Sequence, residues 1–63
     1  MDAMEQGVLY FRKQGASWHT AGEQAASKAI EFLEIDSASQ DAFNLRAAFA
    51  ATARGLNDRE RGM

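Results

Sequence analysis

Apolar residues return at helical spacing in three blocks, and the breaks between them are short. In the first block Met4, Val8 and Phe11 follow an i, i+4, i+7 pattern, and Leu9 and Tyr10 widen the stripe. Asp2 and Glu5 lie at the positive end of the helix dipole and Arg12 and Lys13 at the negative end, which predicts a helix from about residue 2 to 14. Gly15 stands where a left-handed residue closes a helix. The second block opens after Ser17, a good N-cap, and has one stripe of Trp18, Ala21, Ala25, Ala29 and Phe32 beside another of Ala26, Ile30 and Leu33. It predicts a helix over about 18–34. Gly22 inside it costs about 1 kcal/mol relative to Ala, unless another backbone crosses close by.

The third block is the most distinctive. From Ala42 to Arg54 it is apolar on more than one side, with methyl-sized side chains over much of its surface. Ala is the best helix former, and the pattern predicts a helix over about 38–56. Ser37 and Gln40 have the spacing of a capping box. The connection at Ile35-Asp36 is so short that helices two and three should form an antiparallel hairpin. The expected architecture is therefore all-α: a short N-terminal helix plus a helical hairpin, one domain over 1–56. Residues 57–63 carry no apolar period and read as a flexible tail.

Two stripes on the third helix raise the question of cover. Ala42, Leu45, Phe49, Ala53 and Leu56 form one, and Phe43, Ala47 and Ala50 another. Helix two can cover only one of them. Phe43, Ala47, Phe49 and Ala50 are accordingly the expected oligomer interface, with a dimer or higher assembly as the expected state.

Size adds to this expectation. A chain of 63 residues buries about 60% of its unfolded surface, and small scaffolds need a staple. Cysteine is absent, so disulfides and the common zinc sites are excluded, and a lone His19 among scattered carboxylates makes no metal site. Oligomerisation or partner binding is the staple left, or else a well-packed trio of helices. No metal or cofactor is expected.

The net charge of −2 is too small to mark a nucleic-acid binder. Residues 1–36 carry three basic and six acidic side chains and residues 37–63 four and three, or −3 against +1. No apolar run reaches the ~20 residues of a membrane span, and no signal peptide precedes the first amphipathic stretch. Cytoplasmic residence without membrane contact is the expectation.

Three chemistries have some footing in the residues. His19 has no cysteine nucleophile and no second group that so small a fold must bring to it, so an enzyme is not expected. The stretch Arg12 to Trp18, followed by Ala21 to Ile30, is similar to the start of a helix-turn-helix, but Ala25-Ala26 replaces the turn. Helix two should run straight through, and Glu31 and Glu34 would repel phosphate. A DNA-binding regulator is therefore the second reading. A third is an oligomer that binds a small anion or nucleotide near Gly15-Ala16-Ser17.

The leading expectation is a non-catalytic helical module that binds a larger protein stoichiometrically, as inhibitor or regulator. By size and plainness it is of the kind phages and mobile elements carry against host defences. Tyr10 and Trp18 flank the Gly15 corner as candidate aromatic anchors, with Arg12 and Lys13 beside them, and the bundle-plugging core position is the favoured reading for Trp18. Arg46 and Arg54, eight residues apart on one helix face, could clamp acidic groups.

Overall fold

The computed structural model describes residues 3–62 and contains three helices: α1 (Ala3–Lys13), α2 (Trp18–Phe32) and α3 (Gln40–Arg61). Asp2 and Met63, placed above in the first helix and in the tail, lie outside the described residues. The chain is all-α, with no strand among those residues.

Both corners are closed by the same device. At the end of α1, Gly15 takes φ +101°, Ala16 N–H donates to the Phe11 carbonyl at 3.3 Å, and Gly15 N–H donates to that of Arg12 at 3.1 Å. This is a Schellman motif with glycine in the left-handed position. At the end of α2, Ile35 N–H donates to the Ile30 carbonyl at 3.0 Å and Glu34 N–H to that of Glu31 at 3.1 Å. Here the left-handed residue is Glu34, at φ 57°. Ser17 caps α2 as expected, its hydroxyl accepting the Thr20 N–H at 3.2 Å.

The start of α3 differs from the expectation. Ser39, not Ser37, is the cap, accepting the Ala42 N–H at 3.2 Å. The reason is local: the Asp36 carboxylate accepts the Ala38 N–H at 3.0 Å, an Asx-type turn that holds residues 36–38 out of the helix. Gln40 bonds Asn44 Oδ1 instead of reaching back to a cap. The link between the helices thus spans residues 33–39.

The far end of α3 also differs. It passes the expected stop at Leu56 and continues to Arg61, so residues 57–61 are helical. Leu56 is the last buried apolar residue, which is why apolar periodicity ended there. Beyond it polar contacts take over: Arg59 donates to Glu5 at 3.1 Å, and Glu60 receives the Trp18 indole N–H at 3.1 Å.

α2 and α3 make the most extensive helix pair, α1 and α2 the next, and α1 and α3 the least. The α2–α3 pair is antiparallel, with Trp18 level with Glu60 and Gly22 level with Phe49 to Ala53. A Cβ at position 22 would stand 3.0 Å from Ala53 Cβ and 3.3 Å from the Phe49 carbonyl oxygen. Gly22 is therefore where the two helices cross closely.

The buried hydrophobic residues are Val8, Ala21, Ala25, Ala26, Ile30, Ala42, Phe49, Ala53 and Leu56. Five of these nine are alanine, so the helices lie close together and the core gains little apolar area per residue. Of the two stripes on α3, Ala42-Leu45-Phe49-Ala53-Leu56 is the one that faces inward. Phe49 is consequently an intrachain core residue, 6% exposed, and not part of any outward seam.

Candidate binding surface

The residues picked from the sequence fall into three groups. The first is a corner where α1, α2 and α3 meet. The Arg12 guanidinium lies 4.8 Å from the centroid of the Trp18 ring and donates to the Ala16 carbonyl at 3.0 Å. Its other nitrogen is 4.0 Å from Glu60, which also accepts the Trp18 Nε1–H. Arg12 and Trp18 are thus half-buried and engaged within the chain. The two turn to the corner because Gly15 folds α1 back on α2, and helical residues 57–61 bring Glu60 over them. Glu60 carries no signal in the sequence pattern, since its segment lacks an apolar period.

Tyr10 and Lys13 form the second group, on the outward side of α1. Tyr10 is 60% exposed, and its ring meets Phe11 edge-on with centroids 5.1 Å apart. Gln6, Leu9, Tyr10 and Lys13 line a concavity of about 340 Å³. α1 turns Val8 inward, so Gln6 and Tyr10 fall on the opposite side.

The third group is on α3. Phe43 is 63% exposed, and Ala47, Ala50, Arg46 and Arg54 are exposed as well. Arg46 and Ala50 border a hollow of about 100 Å³ with His19, Glu23, Ala26 and Ser27. Ala50 and Arg54 border a second, of about 300 Å³, with Trp18, His19, Ala53 and Asn57. His19 and Ala50 belong to both, so the hollows adjoin along the α2–α3 seam. The Arg46 guanidinium donates to the Ser37 carbonyl at 2.9 Å. His19 is exposed and pairs with Glu23 at 2.7 Å, one turn on.

Residues the sequence reading assigned to covered stripes also lie outside. Phe32 is 85% exposed and Leu33 more than half. Phe32 is on the α1-facing side of α2, but the 11 residues of α1 reach about 16 Å against about 22 Å for the 15 of α2. Leu33 is the C-cap, where the chain leaves the hairpin.

Chemically, these surfaces offer aromatic and methyl contacts with mixed charge at the rim. No buried polar or charged residue occurs among the described residues, and no group of three or more His, Asp or Glu there is arranged to hold a metal. A hollow of about 490 Å³ runs along α2 beside Phe11 and is bordered by Glu23, Lys28 and Glu31, and another of about 520 Å³ is bordered by Lys28, Ala29, Glu31 and Phe32. α2 is unbroken through Ala25-Ala26, so the turn of a helix-turn-helix is not formed there. No helix of the described residues is long and apolar enough to cross a membrane. Comparison with protein-family models, with curated proteins and with solved structures finds no match for this chain.

Proposed function

We propose that this chain works without catalysis, by binding a larger protein in a fixed ratio through its helical surface. The observation that carries the reading is an inversion of the usual distribution of size. Alanine dominates the interior, while Tyr10, Phe32, Leu33 and Phe43 stand in solvent. Exposed large apolar side chains support a contact surface where they gather, as Leu9 and Tyr10 do along one concavity. Tyr10 is the best anchor among them, since it presents a ring and a hydroxyl beside Leu9 and Lys13 and carries no bond to α2 or α3 that would compete. Action as a cytoplasmic inhibitor or regulator, of the type that phages and mobile elements carry, fits this form.

A photo-crosslinking phenylalanine analogue at position 10 tests it in cells of the native host. A single protein joined to the chain in equal amounts, lost when Leu9→Ser and Lys13→Ala accompany the analogue, supports the reading. Crosslinks spread over many proteins, or nucleic acid in their place, would overturn it. The DNA-binding alternative would also show affinity falling steeply with salt, through counterion release.

A further inference from the structure

We propose that the outward face of α3 binds a second copy of this chain, in a two-fold dimer whose axis runs along the helices. The inference shares with the previous reading only the premise that exposed apolar surface is for contact. It uses a different face from Tyr10, so either can fail alone.

The first argument is what the single chain lacks. Its core is largely alanine, it has no disulfide, and α2 leaves the Phe43-Ala47-Ala50 stripe uncovered. A chain in that position gains most from association. The chain exposes 4565 Å², and a standard interface takes about 800 Å² from each partner, roughly a sixth of it. The seam and the α3 stripe beside it bring exposed Phe43, Ala47 and Ala50 together with the two adjoining hollows.

Charge selects the occupant. Along the α2–α3 seam the cations Arg46 and Arg54 stand on the α3 side and Glu23 on the α2 side. A two-fold axis parallel to the helices leaves every residue at its own height. Residues level within one copy are therefore level across the interface, and α3 meets α2 of the second copy in the antiparallel sense already used in the hairpin. Glu23 borders the same hollow as Arg46 and Ala50. In the dimer, Glu23 of the second copy arrives near the height of Ala50, with Arg46 and Arg54 about one turn, or ~6 Å, to either side. Symmetry repeats the cluster on the other side of the axis.

The competing arrangement is disfavoured by the same charges. Two α3 helices crossing antiparallel at Ala50 would set Arg46 of each copy opposite Arg54 of the other. The contacts that Glu23 and Arg46 now make, to His19 at 2.7 Å and to the Ser37 carbonyl at 2.9 Å, are exposed and cheap to exchange.

Sedimentation of the whole chain across the micromolar range tests the proposal. Wild type is expected at twice the 6.9 kDa of one chain. Glu23→Arg alone, and Arg46→Glu with Arg54→Glu, should each sediment as single chains, because each places like charges across its own interface. Their equimolar mixture should return to the double mass, since every cross-pair is then attractive. Circular dichroism checks that each variant is folded. Should a charge variant unfold, Ala47→Glu decides: it alters an exposed position on the α3 stripe beside the seam, and loss of the double mass supports the proposal while retention overturns it. A wild type at single mass throughout, or folded charge variants that dimerise as wild type does, also overturns it.

Discussion

Gly22 and Ala53 are packed so closely that a methyl group on the glycine would stand 3.0 Å from the Ala53 Cβ. The Phe49 carbonyl oxygen, at 3.3 Å from the same point, is backbone and cannot turn aside. Gly22→Ala gains about 1 kcal/mol of helix propensity but overpacks the crossing, which costs about 1–3 kcal/mol. The net result should be a lower melting temperature. Gly55 is the control, because nothing lies within 4 Å of its added methyl. Gly55→Ala should raise the melting temperature, by the equivalent of about 0.5–1 kcal/mol. Two thermal melts in opposite directions check the pair.

Glu34 holds a left-handed backbone, φ 57°, at the position where α1 uses Gly15. An L side chain there costs about 1–2 kcal/mol, partly offset in a glycine variant by extra freedom in the unfolded chain. Glu34→Gly should therefore stabilise the chain by about 0.5–1 kcal/mol, measured by urea denaturation. A loss of stability would mean that the Glu34 side chain supplies something beyond its backbone.

The four phenylalanines should separate by burial. Phe49→Ala opens the interior and should cost about 3–5 kcal/mol, enough to unfold a small domain. Phe32→Ala alters a side chain that is almost fully exposed and should change stability by no more than about 0.5 kcal/mol. Denaturation of both, at a concentration where the solution mass is known, gives the comparison.

Trp18 and Glu60 join the first turn of α2 to the last of α3. Both are solvent-accessible, so Glu60→Gln should cost less than about 1 kcal/mol globally. Its effect should be local: faster amide exchange in residues 57–61 and a changed emission from Trp18, the single tryptophan. Unchanged exchange would show that this turn is held by Arg59 and Glu5 instead.

The three helices were legible because each has an apolar face at the right period and a recognisable stop. Ser17 and Gly15 announced themselves, having side-chain or backbone properties that few other residues offer. The two apolar stripes of α3 were legible for the same reason, but spacing did not say which of them faces inward, and so Phe49 was expected at an interface. The extension to Arg61 was not, since it is held by Glu5–Arg59 and Trp18–Glu60, pairs 54 and 42 residues apart. Ser39 displaced Ser37 because Asp36 forms its own turn, a choice among adjacent polar residues that periodicity cannot rank. Phe32 fits the spacing of the α1-facing stripe and is exposed only because α1 is short. On the candidate surface, spacing alone brought out Phe43, Ala47 and Ala50. That Glu23 and His19 meet Ala50 across the seam required the crossing angle and height of α2.

The concentration dependence of the ¹H–¹³C methyl and aromatic spectrum tests most directly whether the outward side of α3 is a contact surface. On dilution through the micromolar range, signals of Phe43, Ala47 and Ala50 should shift together, while those of Val8, Ala21 and Tyr10 stay in place. A spectrum unchanged with concentration, or shifts confined to Tyr10 and α1, would contradict the assignment of this face.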